Sequence, residues 1–424
     1  MINIRDEAER CLQCKKPRCV KACPISTPIP QVVKIFLEGY IEEAGDLLFQ
    51  NNPLSVICSL ICPHERFCEG NCIRGIKSTP IAIGAIEQYI SNFYINLFEP
   101  VIDKQFKGEI AVIGGGPAGM ALSSYMSQKG YNVTIFDEKA KIGGILRYGI
   151  PDFRLPNSIL SQIEDKLKSM GVIIHPLTLA GPVLTISDMF RDGYDSVFIS
   201  TGVWRPKKLG VKGESLGHVH YAINYLKDPD VFHLGENVAV IGAGNVAMDV
   251  ARTARRNGAR NVTVFYHKGE EDLSASKSEI EYAKLDGVNF KFYTSLDEIR
   301  KEKLIYVDTR DENKEKKEFK ADSVIIAIGQ VTQKNLVATT KDLNLNERGF
   351  IETDDCGQTS VPGVFASGDV VTGAKTVVEA VAAAKRTANA MHYYIQSKNN
   401  KDYNGEPLYA TVDFDEIQSQ LTNK

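Results

Sequence analysis

Residues Glu109 to Asp137, which read E-I-A-V-I-G-G-G-P-A-G-M-A-L-S-S-Y-M-S-Q-K-G-Y-N-V-T-I-F-D, decide the fold. Ile110-Ala111-Val112-Ile113 is a short apolar run of the kind that forms a buried parallel strand. It enters a turn containing G-x-G-x-x-G, formed by Gly114, Gly116 and Gly119 with Pro117 and Ala118 between, and then a helical pattern. A second strand from Tyr131 to Phe136 delivers an acid, Asp137. The first glycine permits the tight turn, the second lets backbone approach a pyrophosphate, and the third packs helix on strand. The helix N-terminus offers free N–H groups and a positive dipole end to that pyrophosphate. Asp137 is expected to accept hydrogen bonds from a ribose. Glycines alone are weak evidence; strand, glycines, helix, strand and terminal acid in order are strong.

The pattern recurs further along. Asn237 to Ile241 reads as a strand, Gly242-Ala243-Gly244-Asn245-Val246-Ala247 as the turn, with alanine replacing the third glycine, and Met248 onward as helix. Its second strand, Asn261 to Tyr266, ends in His267 and Lys268 and not in an acid. An acid there favours the free ribose hydroxyl of NAD, whereas a basic residue tolerates the phosphate of NADP. Lys277 is a candidate second charge, while Glu270, Glu271 and Asp272 nearby leave a solvated charged loop as the alternative. Gly143-Gly144 forms a glycine loop after the first unit. Three further apolar strands end in small-residue turns, at Thr201-Gly202, at Gly329 and at Gly368-Asp369. The aspartate suits a polyol hydroxyl, and a long helix from about Thr376 to Tyr394 turns its N-terminus toward an electron-rich ring.

Eight of the nine cysteines lie between Cys11 and Cys72, and only Cys356 lies elsewhere. They form two blocks, Cys11-x2-Cys14-x4-Cys19-x3-Cys23-Pro24 and Cys58-x3-Cys62-Pro63-x4-Cys68-x3-Cys72. Such clustering in a large chain argues for metal ligation over disulfides. A proline after a cysteine is familiar from ferredoxin loops, although the spacing is not the bacterial ferredoxin one. Structural zinc is the alternative, but zinc ribbons pair two C-x2-C knuckles and only one occurs here. Between the blocks, Pro30 to Gln50 carries apolar residues at helical spacing until Asn51-Asn52-Pro53, and another helix is expected from about Ile83 to Leu97.

The remaining bounds are restrictive. A hydrophobic content of 43% with 24% charged residues is that of a globular chain of two or three domains. A net charge of -3 gives no reason to expect a nucleic-acid partner. No apolar run is long enough to span a bilayer and the N-terminus has no signal-peptide core, so a cytoplasmic location is expected. A disulfide reductase of the thioredoxin-reductase kind, which shares two such nucleotide folds, needs a redox-active pair of thiols, and only Cys356 follows Cys72.

In their order, the cysteine blocks, Gly114 to Gly119, Gly143-Gly144, Ile150-Pro151-Asp152-Phe153-Arg154-Leu155-Pro156, Gly242 to Ala247 and Gly363 to Asp369 resemble the small (beta) subunit family of glutamate synthase. The electron-entry part of dihydropyrimidine dehydrogenase and the NADH-dependent ferredoxin:NADP oxidoreductase, or sulfide dehydrogenase, belong to the same set. The resemblance implies an α/β, glutathione-reductase-like flavoprotein with two dinucleotide-binding domains and an N-terminal α-helical iron–sulfur domain. It implies FAD in the first fold, NADPH or NADH in the second, and two [4Fe-4S] clusters. The expected domains are 1–100 for the clusters, 101–234 and 333–396 for FAD, and 235–332 for NAD(P)H, with a polar tail at 397–424 in which Leu408 to Leu421 docks. The resemblance also implies crossed ligation: Cys11, Cys14 and Cys19 with Cys72 on one cluster, and Cys23 with Cys62 and Cys68 on the other. The eighth ligand is then Glu87, or its neighbour Gln88, leaving Cys58 spare; the plainer alternative has Cys58 complete the site. No barrel for pyrimidine reduction and no glutaminase or FMN domain is present, and the Lys268 region lacks the paired arginines of NADPH-dependent glutamate synthase small subunits. The expected role is electron input to a larger partner subunit, with no side chain obliged to act as acid or base. A zinc-stapled flavoprotein scaffold is the non-enzymatic alternative.

Overall fold

A computed structural model describes residues 3–400 together with 403, 405, 408 and 409. The chain divides into two units. The first comprises residues 1–144, 154–203 and 332–424, and the second 145–153 and 204–331. The second unit thus takes in 204–234, a stretch the sequence division placed with the FAD domain.

The first unit begins with helices α1 (Ile4–Glu9), α2 (Arg18–Ala22), α3 (Ile29–Leu37), α4 (Ile41–Asn51), α5 (Ser55–Ile61) and α6 (Ile83–Leu97). The expected helical run from Pro30 to Gln50 is two helices. Gly39, at φ +96°, ends the first, because the chain must turn left-handed there and only glycine does so without strain. The Tyr40 N–H donates back to the Ile35 carbonyl at 3.1 Å, closing that turn. Val32, Val33, Leu48, Ile83, Ile86 and Ile90 make one small core in which Cys68 is buried and against which Cys11, Cys19 and Cys72 pack.

Next come β1 (Gly108–Ile113), α7 (Pro117–Ser127), β2 (Tyr131–Phe136), β3 (Ile173–His175) and β4 (Ser196–Ile199). With the late strand Val364–Ala366 they make a parallel sheet, ordered Val364–Ala366, β4, β1, β2, β3. All of β1 except Glu109 is buried, as expected of a strand covered on both faces. The chain leaves β1 toward β2 and later returns on its other side through β4, which puts the topological switch at the end of β1.

The second unit repeats the scheme with a parallel sheet ordered Val219–Tyr221, Ser323–Ile326, Asn237–Ile241, Asn261–Phe265, Asn289–Lys291. It adds a three-stranded antiparallel sheet, Thr294–Arg300, Lys303–Asp308 and Lys316–Lys320, that the sequence reading did not anticipate. Its strands are polar on the outer face, so neither period is pure.

The C-terminal helix Val377–Asn399 packs on α7. Its Lys385 ammonium donates to Asn51 Oδ1 at 2.9 Å, and Tyr125 donates to the Asn51 carbonyl at 2.7 Å. Tyr409 is buried beside them, its hydroxyl donating to the Tyr125 carbonyl at 2.8 Å, so part of the expected tail docks here. Residues 410–421 lie outside the described residues.

Two stability predictions follow from buried charge. Arg252, 6% exposed, donates to Glu279 at 2.8 Å and Asp286 at 2.9 Å. Arg252→Ala leaves Glu279 buried without that cation and should cost about 3 kcal/mol or more in urea denaturation. Burial also pulls Lys385 from 10.5 down to about 8. A base depressed on folding contributes stability above its unfolded value, and that contribution is lost as pH falls through about 8. Replacing it, Lys385→Met should therefore flatten the decline in stability seen between those two pH values.

Candidate functional site

The eight clustered thiols ring two spaces, and the grouping crosses the sequence blocks. Cys11, Cys14, Cys19 and Cys72 line one cavity, closed on its inner side by Ile29, Val33 and Ile83. Cys23, Cys58, Cys62 and Cys68 line the other, together with Glu87, His64 and Asn52. At Cys23 the cause is local: it caps a short helix in extended conformation just before Pro24, which turns the chain away from Cys11, Cys14 and Cys19. Glu87 lies in the second turn of α6, and Gln88 is exposed and lines neither cavity. Among the described residues no three of His, Cys, Asp or Glu are gathered as one metal ion would require. The thiols instead surround a space on two sides.

Burial opposes ionisation of five of the eight thiols. It pushes Cys19 up to about 12 and raises Cys11, Cys58, Cys62 and Cys68 as well. Glu87 is pushed up to about 8, first by burial and then by the charge of Glu69. A set of thiols that the protein itself holds neutral needs positive charge from outside to become thiolates, which iron supplies. The donor sets therefore fit iron–sulfur groups. His64, which sequence reasoning missed, lines the second cavity with Nε2 unpartnered, and burial lowers it to about 4. It carried no signal, being one histidine after a Cys-Pro pair.

The first glycine turn is a cradle of backbone on backbone. Gly114 has φ +99°, and a side chain there would meet the Ser200 carbonyl at 2.7 Å. A Cβ on Gly119 would meet the Gly114 carbonyl at 2.0 Å, so helix and strand touch. Gly116, by contrast, has nothing nearer than 3.9 Å, and that nearest atom is the Cα of Gly144. The loop Gly143-Gly144 is tied to the turn by Gly143 N–H donating to the Gly115 carbonyl at 2.7 Å. Open space at Gly116, walled by glycines, fits a pyrophosphate. Asp137 accepts from the backbone N–H groups of Gly115 and Lys139, both at 2.7 Å. Its carboxylate thus braces the turn and keeps only its remaining lone pairs for a ribose.

Other expected residues converge on the same sheet end. Thr201 and Gly202 follow β4, and the Thr201 Cα lies 3.0 Å from where a Gly114 side chain would stand. Gly368, at φ +77°, brings Asp369 to the start of α7 through Ala118. Asp369 accepts from Lys375 N–H at 3.1 Å, and burial raises it to about 6. Thr376 caps the C-terminal helix in a reciprocal capping box with Glu379. In the first turn of that helix, Val378 walls the second thiol cavity. Arg154 is half-buried where the chain re-enters the first unit.

In the second unit, Gly242 at φ +120° and Gly244, which caps the helix Asn245–Arg256, rebuild the turn. The Asn245 side chain accepts from Ser276 N–H at 2.8 Å, holding the next loop, and Val246 packs against the core. The carbonyl of Gly329, also at positive φ, accepts from Lys207. The Gly242 N–H bonds Phe265 as Gly114 bonds Phe136, which sets Tyr266 in the place of Asp137. His267 and Lys268 follow, both exposed, and Lys277 is exposed at the start of its helix. Tyr293 N–H donates to the Lys268 carbonyl at 3.0 Å, and Arg310 stacks on the Tyr293 ring at 4.2 Å. That second cation comes from a hairpin 42 positions beyond Lys268, with no local signal.

Comparison with known proteins agrees with this geometry. The profile of the pyridine nucleotide-disulphide oxidoreductase family matches residues 108–384, and that of dihydropyrimidine dehydrogenase domain II, 4Fe-4S cluster, matches 2–97. The glutamate synthase [NADPH] small chain of Escherichia coli is 30% identical, over 92% of this chain and 91% of its own. The NAD-dependent dihydropyrimidine dehydrogenase subunit PreT of the same organism is 31% identical, over 92% and 94%. Among solved structures, Mycobacterium tuberculosis FprA in complex with NADPH superposes with a TM-score of 0.59 at 17% identity, over 74% of this chain and 89% of that one. T. acidophilum thioredoxin reductase gives 0.56 at 23% identity, over 68% and 98%, a likeness of fold. No helix of the described residues is long and apolar enough to cross a membrane.

The second cavity offers both Cys58 and Glu87 beside Cys23, Cys62 and Cys68, and a pair of variants separates the two. Glu87→Ala is expected to alter or remove one low-temperature EPR signal of the reduced protein. Cys58→Ala is expected to retain iron content and both signals. Loss of a signal in Cys58→Ala alone, with Glu87→Ala unchanged, would give the site to four thiols.

Proposed function

Because the chain belongs to the pyridine nucleotide-disulphide oxidoreductase family, and is an NAD(P)H-dependent FAD oxidoreductase with an iron–sulfur domain, we propose that it is the electron-input subunit of a larger enzyme, of the glutamate synthase small-chain kind. The observation that carries this reading is Val378. It stands two residues after Thr376, at the helix start that Lys375 N–H ties to Asp369, and also walls the second thiol cavity. Two cofactor sites that share one helical turn form a route inward, and Cys11 to Cys72 surround its continuation.

In this reading Gly114, Gly116, Gly119, Gly144 and Asp137 bind FAD, with Asp369 and the Thr376 helix end at its ring system. Gly242, Gly244 and Lys268 bind the nicotinamide coenzyme. Cys11, Cys14, Cys19 and Cys72 hold one [4Fe-4S] cluster, and Cys23, Cys62, Cys68 and Glu87 the other. Bound there, FAD would supply the conversion of a two-electron hydride carrier into a source of single electrons, chemistry that belongs to the cofactor itself. The chain's own contribution is alignment and exclusion of water. The glycine turns bring backbone N–H groups to the phosphates, and the apolar wall of Ile29, Ile83 and Val378 keeps the interior dry. With no second cysteine beside Cys356, dithiol exchange of the thioredoxin-reductase type has no residues to run on.

The coenzyme is read as NADPH. Tyr266 fills the position of the ribose-binding acid, and its hydroxyl is spent on the Asp272 carbonyl at 2.9 Å. Lys268 stands two residues on, with Arg310 held nearby through Tyr293. Pyrimidine reduction with a different partner is the second reading, supported by the domain match at 2–97.

The tests are direct. Protein purified without oxygen should contain one FAD and about eight irons with matching labile sulfide, as two cubanes require. It should reduce artificial dyes with NADPH but form no glutamate from glutamine and 2-oxoglutarate alone. Lys268→Glu should weaken NADPH use selectively by roughly 1–3 kcal/mol, the scale of one charge-assisted hydrogen bond. Faster flavin reduction by NADH than by NADPH in the wild type would reverse the coenzyme assignment.

A further inference from the structure

The second thiol cavity contains a polar atom for which the chain itself provides no partner. His64 lines that space beside Cys62, Cys68 and Glu87, and its Nε2 is shut off from solvent with no hydrogen bond among the described residues. Other polar side chains of the cavity are already committed to sulfur. Thr27 Oγ1 lies 3.3 Å from Cys23 Sγ, and the Asn52 side chain is hydrogen-bonded to Cys58. A buried nitrogen left unpaired costs desolvation free energy that no contact returns. Its natural partner is whatever the thiols enclose.

The ring is held from two sides. At its root, the His64 carbonyl accepts the N–H groups of Phe67, Glu69 and Gly70 at 3.2, 3.0 and 3.2 Å, which fixes the turn between Cys62 and Cys68. At its tip, the imidazole lies over Gly84 in the first turn of α6. A Cβ on Gly84 would meet Cε1, Nε2 and Nδ1 at 2.6, 2.7 and 2.9 Å. Gly84 is helical, so its backbone does not call for glycine; the imidazole does. Its N–H donates to Glu69 Oε1 at 2.9 Å, and Glu87 follows three positions later on the same helix face. His64 and Glu87 thus reach the cavity from neighbouring places on one helix.

We infer that His64 donates its Nε2–H to sulfur of the iron–sulfur group in the second cavity and thereby sets that group's reduction potential. The inference rests on the reading that this cavity holds a cluster. Thiolates, bridging sulfide and a carboxylate are acceptors only, so an imidazole that meets them presents its N–H. Uptake of one electron adds one negative charge to such a group. A hydrogen bond to sulfur stabilises that added charge more than the state before it, and so raises the potential. His64 forms and breaks no covalent bond in this role. Ligation of iron by the same nitrogen is the competing use of the atom, and the experiment separates the two.

The full-length protein, loaded with FAD, iron and sulfide, is reduced stepwise and read by low-temperature EPR. His64→Leu is expected to keep its iron, its sulfide and both signals. One signal, the one lost in Cys68→Ala, should then appear only at lower potential. At a fixed poise its ratio of reduced to oxidised form should fall about tenfold, or about 59 mV for a one-electron couple. The other signal should titrate as in wild type. His64→Gln, whose amide offers an N–H at similar reach, should restore the wild-type value. Gly84→Ala should lower the same potential, because its methyl group pushes an unaltered imidazole aside, and it decides the matter where His64→Leu does not assemble. An unmoved potential in the assembled variants overturns the proposal. So does an equal shift in His64→Leu and His64→Gln, the result of a purely steric role, or a shift of the other signal instead. Strong nitrogen hyperfine coupling that His64→Leu abolishes also overturns it, by making the imidazole a ligand. Wild-type protein with iron and sulfide for one cluster, untouched by Cys68→Ala, refutes the cluster reading and the proposal together; two clusters with unmoved potentials refute the proposal alone.

Discussion

Everything in the first unit depends on a place where four pieces of backbone meet without side chains between them. The turn after β1 lies against the end of β4 at Ser200, against its own helix at Gly119 and against the loop at Gly144. Gly115 N–H is then held by Asp137 from the end of β2. A methyl group at Gly114, Gly119 or Gly144 would force one of these pieces away by several tenths of an ångström or more. Because interiors pack without slack, the displacement would spread to the strand ends that carry Thr201 and Asp369. The cradle's precision is thus a property of backbone, and the surrounding side chains mainly keep it pressed together.

That constraint is also why so much was legible in the sequence. Where backbone comes so close to backbone, only the smallest residues are allowed, and the restriction prints itself as a motif. The same holds for Gly242 to Ala247, where Ala247 is fully buried. Strands covered on both faces, such as Asn261–Phe265 and Ser323–Ile326, appear as unbroken apolar runs for an equally local reason. The cysteine blocks announced a metal domain because ligand chemistry tolerates few residue types.

What was not legible comes from side chains that meet only through tertiary structure. Arg310 reaches the neighbourhood of Lys268 across a hairpin sheet whose strands alternate too weakly to be read. His64 and Asn52 became cavity residues because short helices ended where they did. The break at Gly39 was hidden by apolar residues that keep helical spacing on both sides of it. The Tyr266 position is a subtler case. The strand ends one residue earlier than the apolar pattern suggests, so the residue equivalent to Asp137 is a tyrosine, and the basic pair lies beyond it.

The crossing of the cysteine blocks has a consequence for how the chain comes into being. Synthesis delivers Cys11 to Cys23 first, yet neither thiol ring can close on that segment alone, because one waits for Cys72 and the other for Cys62 and Cys68. The wall at Val378 arrives last, after both sheets have been made. The nascent N-terminal segment therefore leaves the ribosome as a set of thiols with no finished ring until Cys72 has been made. The second ring is thus walled off only by the completed polypeptide, since Val378 comes from the helix Val377–Asn399.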